Sequence, residues 1–188
     1  MATDPPPDPS PDDRALEARL RAGDREAAST LAERSYRQVY AALFRLTGGD
    51  ADLASDLTQE TYRRAWKALP TFRGDARFST WVYRIAYTTF LNHLRRPRPL
   101  PLDEEVAAEL PDAQPSPERQ VQQRRAARRL RRQVLELPET LRYTLTARYW
   151  AGQSAADIAR AEGITPTAVR KRLRKALHLL HQTLEETA

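Results

Sequence analysis

Prolines at 97, 99, 101, 111, 115 and 117 crowd the stretch "PRPLPLDEEVAAELPDAQPSPE", residues 97 to 118. Proline locks φ and has no backbone N–H to donate, so no continuous helix runs through this segment. Six acids against a single Arg also make it an acidic island in a chain whose formal charge is +6. On either side of it apolar residues recur at three- and four-residue spacing, Ala, Leu and Arg dominate, and only 6 glycines occur in 188 residues. That is a helical pattern. The sequence therefore predicts an all-α protein: two small helical domains joined by a flexible Pro-rich acidic linker, the second containing a helix-turn-helix. The expected boundaries are a disordered tail over 1–13, a first domain over 14–97, the linker over 98–118 and a second domain over 119–188.

Turn chemistry divides each half further. The first domain breaks at "TGGD" (47–50) and "LPTFRGDARFS" (69–79), giving about four helices; the second breaks at "LPE" (137–139), "WAGQS" (150–154) and "EGITP" (162–166), giving four more.

The last two of those breaks frame "SAADIARAEGITPTAVRKRLRKALHLLH". Ser154 with Asp157 is a capping start, Gly163 a permissive helix end, and Thr165 with Pro166 an N-cap and first-turn pair. The intervening turn has the length of a helix-turn-helix. On the second helix Val169, Leu173, Ala176, Leu177 and Leu180 form an apolar stripe, and Thr167, Arg170, Lys171, Arg174 and Lys175 lie opposite. A charged face opposite a leucine stripe is ordinary solvated surface by default. Five cations in the six positions 170–175, directly after a well-formed turn, favour entry into a nucleic-acid groove instead.

"RFSTWVYRIAYTTFLNHLRR", residues 77–96, combines rings and cations. On a helix over 81–96, Val82, Tyr83, Ala86, Tyr87, Phe90 and Leu94 share one broad face, the candidate core of the first bundle. Trp81, Arg84, Thr88, Asn92 and Arg95 share the other. A lone Trp beside Arg is usually half-buried packing. Here Arg84 follows it at one-turn spacing, Arg95 lies further along the same face, and the loop "TFRGDARF" just upstream adds Phe72, Arg73, Gly74 and Phe78. A ring in such company stacks an unpaired base for about 1–3 kcal/mol, which points to melted DNA rather than intact duplex.

Other chemistries find little support. The chain has no Cys for disulfides or thiolate ligands, and its three His residues are at 93, 178 and 181. Asp52, Asp56 and Glu60 at i, i+4 and i+8 offer a carboxylate face of the kind a divalent metal uses, but no second carboxylate-and-His helix completes a cage. No apolar run reaches the ~18–20 residues of a membrane span, and the acidic, Pro-rich start is unlike a signal peptide. The expectation is a cytoplasmic, non-enzymatic protein without metal, cofactor or small-molecule substrate. A stand-alone helix-turn-helix regulator is the alternative, although no heptad seam for dimerisation is visible.

Two strings carry a resemblance. "DLTQETYRRAWKALPTFRGDARFSTWVYRIAYTTFLNHLRR" is similar to region 2 of bacterial sigma factors, and "LPETLRYTLTARYWAGQSAADIARAEGITPTAVRKRLRKAL" to region 4. A chain with those two regions and a linker resembles the extracytoplasmic-function (ECF) class of the sigma-70 family. The resemblance implies a dissociable subunit that directs RNA polymerase core to promoter DNA, docking on the β′ clamp coiled coil and the β flap, and in many relatives held by an anti-sigma factor. It assigns Asp56, Gln59, Glu60 and Arg63 to the polymerase, and Phe72, Arg73, Gly74, Asp75, Trp81, Arg84, Thr88 and Asn92 to the minus-ten element. Thr167, Arg170, Lys171 and Arg174 fall to the minus-thirty-five element. Thr88, the pair Thr167-Ala168 and Lys171 depart from the residues usual there, which bears on the promoter read rather than on the role. The linker's length, about 70 Å at ~3.3–3.6 Å per residue, matches two helical turns of DNA.

Overall fold

The computed structural model describes residues 11–95 and 117–185, and among them all regular structure is helical. The first half contains α1 (Pro11–Arg21), α2 (Arg25–Leu46), α3 (Ala51–Ala68), a 3-10 turn at Leu69–Thr71 and α4 (Phe78–Leu94); the second contains α5 (Pro117–Glu136), α6 (Glu139–Tyr149), α7 (Ala155–Glu162) and α8 (Pro166–Glu185). Most of the Pro-rich linker lies outside the described residues, as do residues 1–10 of the expected tail. Pro11, Asp12 and Asp13, read from sequence as tail, form the first turn of α1, where two acids suit the positive end of the helix dipole.

Local chemistry explains the boundaries. Asp24 opens α2 by accepting the amides of Glu26 (2.9 Å) and Ala27 (3.2 Å), and Asp50 opens α3 by accepting that of Leu53 (2.9 Å). Thr58 and Thr61, both buried, turn their hydroxyls back onto the carbonyls of Ala54 (2.7 Å) and Leu57 (2.6 Å), so their burial strands no donor. Gly163 closes α7 at φ 66, a left-handed conformation that a side chain resists.

The first bundle packs Leu31, Val39, Leu43 and Leu46 of α2 and Leu57 of α3 against Phe78, Val82 and Phe90 of α4. A smaller core of Val134, Leu137, Leu141, Leu145, Ala176 and Leu180 joins α5, α6 and α8. The two halves do not stay apart: Tyr143, Ala147, Ala151, Ile158, Ala159 and Val169 of the second half belong to the first bundle's core cluster.

This changes the reading of α4. Val82, Tyr83, Ala86, Tyr87 and Phe90 are buried as their periodicity predicts, but Tyr83 stacks on Tyr143 (centroids 6.0 Å apart) and Tyr87 meets Tyr143 edge-on (5.2 Å). Part of the presumed interior of one bundle is thus a seam between two. Tyr87 sits there without stranding its hydroxyl, which accepts from Arg142 Nε at 2.8 Å. Leu94 and Leu177, each 44% exposed, fall off their predicted stripes.

Polar contacts stitch the same seam. Gln38 Nε2 and Arg45 Nη1 donate to the carbonyls of Ala151 (2.5 Å) and Trp150 (3.2 Å), Arg131 Nε donates to that of Leu46 (2.8 Å), and Thr80 bonds the buried Gln153 side chain. Arg77 Nε lies 3.0 Å from Asp157 Oδ2, a carboxylate with no solvent exposure.

Candidate nucleic-acid interface

Three surfaces hold the residues singled out from the sequence. The loop between the 3-10 turn and α4 carries Phe72, Arg73, Gly74 and Asp75. Phe72 is not a free ring: at 8% exposure it packs edge-on against Phe78 (5.8 Å) and tilted against Trp81 (5.4 Å). Trp81 also meets Phe78 at 5.7 Å, so its indole is braced from below by two phenyl rings and remains only partly covered. Above it opens a cavity of about 160 Å³ lined by Thr71 to Ala76, Trp81 and Arg84 of the first half and by Arg160 and Ala161 of α7. Arg73 and Asp75 are exposed.

Along α4, Arg84 and Thr88 are exposed and Asn92 is half-buried. Thr88 Oγ1 donates to the Arg84 carbonyl (3.0 Å), and Arg84 Nη1 donates to the Ala161 carbonyl at 2.5 Å. The outward face of α4 is therefore polar, as its pattern predicts, but in this arrangement α7 lies against it and one of its cations holds a protein carbonyl.

The second surface is the solvent side of α3. Asp56, Gln59 and Arg63 are exposed there. Glu60 is committed within the helix: its oxygens accept from Arg63 Nε and Nη2 (2.6 and 2.7 Å) and from Arg64 Nε (2.6 Å). Those two guanidiniums hold its carboxyl down to about 2, so it stays ionised throughout any working pH. Among the described residues no cluster of three or more metal-binding side chains forms, and Glu60 is not free to pair with Asp52 and Asp56 around an ion.

Sequence reasoning missed the aromatic part of this face. Trp66 is 43% exposed, and Tyr36, 44% exposed, stacks on Tyr62 at 5.6 Å. Asp56, Gln59, Arg63 and Trp66 follow a three-four-three spacing, so the signal for Trp66 was available. Exposed rings beside exposed polar groups are what a protein-docking surface presents.

The third surface is the helix-turn-helix. Ser154 accepts the Asp157 amide (3.0 Å) and bonds its carboxylate, and Thr165 Oγ1 accepts the Ala168 amide at 3.1 Å. With its start thus fixed, α8 presents Thr167, Arg170, Lys171, Arg174 and Lys175 to solvent. Arg172, counted in the cation run, instead pairs with Glu162 of α7 at 3.1 Å and locks the two helices together. The face keeps the four cations expected of it, one fewer than the run of five.

The family model for Sigma-70 region 2 matches residues 31–99, and that for Sigma-70 region 4 matches residues 127–180. The ECF RNA polymerase sigma factor SigM of Mycobacterium tuberculosis is 34% identical over 155 residues, 82% of this chain and 76% of that protein. The RNA polymerase sigma-H factor of Pseudomonas aeruginosa is 35% identical over 127 residues, and the match spans 65% of its length; the ECF RNA polymerase sigma-E factor of Haemophilus influenzae is 29% identical over 184 residues, 95% of its length. The fold is similar to CnrH, solved in complex with the cytosolic domain of CnrY, with a TM-score of 0.63 at 21% identity over 94% of this chain and 99% of that one. It is also similar to the sigma factor RpoE of Bartonella quintana, solved with the anti-sigma factor NepR, with a TM-score of 0.54 at 16% identity over 86% of this chain and 98% of that one. With regions 2 and 4 both matched and SigM alike across three quarters of its length, the chain belongs to the sigma-70 family, in its extracytoplasmic-function class.

Proposed function

We propose that the chain directs RNA polymerase core to promoters: the α3 face docks on the β′ clamp, the second domain on the β flap, the 72–77 loop and α4 hold the separated minus-ten strand, and α8 enters the groove at minus thirty-five. The observation that carries this reading is the Trp81 indole, backed by Phe72 and Phe78 and facing a cavity edged by Arg84. A ring so placed stacks a base that has left its helix, a task without purpose on closed duplex. The polymerase supplies the bond-making chemistry, and the chain acts where that enzyme is, in the cytoplasm.

In the observed packing Arg84 bonds the Ala161 carbonyl and α7 closes one side of the cavity, so a strand that uses Arg84 needs that contact released. The second domain has to leave α4 before both promoter elements are engaged. An anti-sigma partner, as in the RpoE–NepR complex, fits this reading as a protein that favours one arrangement over the other.

Promoter binding measured with and without core polymerase tests the assignment. Specific binding should appear only with core present. Tight specific binding by the chain alone would favour a stand-alone regulator, which also needs a dimer to match two half-sites.

Three substitutions follow from the surfaces. Asp56→Ala or Gln59→Ala should weaken core-polymerase binding at least about fivefold, the effect of losing a contact worth ~1 kcal/mol or more, while shifting stability by less than ~0.5 kcal/mol because both side chains are exposed. Arg174→Ala should weaken holoenzyme binding to the minus-thirty-five element; if its contact is a phosphate, the slope of log affinity against log salt falls by about 1.

A further inference from the structure

We infer that Glu17, on the helix that precedes the matched region 2 segment, is a positioning residue for the loop that captures the strand; this rests on the strand-capture reading above. Helix α4 begins without a cap of its own. Its N-cap is Arg77, whose side chain makes no capping hydrogen bond, although the first amides of any helix lack intrahelical partners. The missing acceptor comes from 61 residues earlier: Glu17 Oε1 takes the Phe78 N–H at 2.8 Å. A carboxylate there also faces the positive end of the α4 dipole.

The same face of α1 holds the other end of the loop. Arg21, one turn beyond Glu17, runs its stem beneath Gly74, so close that a Cβ at Gly74, where φ is +77, would lie 2.7 Å from Arg21 Cδ. Helix α1 thus touches both Gly74 and Phe78, bracketing the segment that lines the cavity. It is itself anchored, through buried Leu20, partly buried Leu16, and Asp13, which pairs with Arg34 of α2 at 2.6 Å.

The consequence reaches Trp81 through Phe78. Phe78 is 2% exposed and supports both Phe72 and Trp81. Fixing its amide fixes where α4 starts, and with it the height of the indole over the cavity. Glu17 is only half-exposed: burial pushes its carboxyl up, the Phe78 amide and Arg77 pull it back, and Asp13 and Asp157 push it up again. The bond to Phe78 and the charge of Arg77 together offset the cost of that burial.

The test uses holoenzyme assembled from core polymerase and the full chain. The probe is a fork-junction DNA carrying a promoter that wild-type holoenzyme selects from a randomised library, with a matched series bearing one abasic site at each minus-ten position. Wild type should show a position at which removing the base costs most of the affinity. Glu17→Ala should lose about five- to tenfold on the intact fork, the size expected for one lost cap bond, yet bind the abasic fork and core polymerase as wild type does. Glu17→Gln keeps an oxygen acceptor and should return to within about twofold. Equal loss on intact and abasic forks, no loss on either, or failure of Gln to rescue would overturn the role of Glu17. A wild-type holoenzyme indifferent to every abasic site would overturn the strand-capture reading itself, and this inference with it.

Discussion

Asp157→Ala should cost the chain about 3 kcal/mol of stability, measured by chemical denaturation. The carboxylate has no solvent exposure and three partners: Arg77 at 3.0 Å, Arg160 at 2.5 Å, and Ser154, whose cap it completes. Removing one member of a buried ion pair typically costs about 3–5 kcal/mol, because the partner's charge stays behind in a place it cannot be hydrated. Here the two arginines differ. Arg160, with 55% of its side chain exposed, turns to water and adds little; Arg77, with 20% exposed, does not. Glu17 still faces Arg77 and offsets part of the loss, which places the expectation at the low end of the range. Arg160→Ala should accordingly shift stability by less than about 1 kcal/mol. A loss below ~1 kcal/mol for Asp157→Ala would mean that the Arg77–Asp157 contact does not hold the two halves together. Since the pair spans the seam, the same variant should expand the chain in small-angle scattering.

The second large effect is expected at Trp81. On the proposed reading, Trp81→Ala removes a ring whose stacking on a base is worth about 1–3 kcal/mol, a factor of roughly 5 to 150 in the population of strand-opened complex. The first encounter with duplex promoter does not use the ring, so binding at low temperature, before melting, should change little. Because Trp81 sits on the rim above Phe72 and Phe78, its loss leaves the bundle beneath in place, and the variant should keep its helical signal. Equal loss in encounter and opening would count against a melting role.

How much of this was legible beforehand depends on the range over which each residue acts. Helix ends set by local chemistry could be read directly: "TGGD", "LPE", "WAGQS" and "EGITP" each fall between helices. The start of α4 could not. It lies at Phe78 rather than Trp81, after an Arg that does not cap, because the acceptor sits on α1. Likewise periodicity places Tyr83 and Tyr87 on a buried face without saying whose surface buries them, and the answer is Tyr143 of the other half. Phe72 looked like a base-holding ring because loop aromatics often are; its burial makes it the floor under Trp81. Arg172 counted in the cation run of 170–175, but it pairs with Glu162 instead of adding to the groove face. In each case the missing information was a partner elsewhere in the chain that the local pattern does not name.

Permanganate reactivity of promoter thymines tests the central claim most directly, since it reports bases that have left the stack. Core polymerase and this chain together should make thymines of the minus-ten segment reactive, and neither alone should do so. Reactivity that core produces without the chain, or a promoter that both together bind yet leave fully paired, would contradict the account.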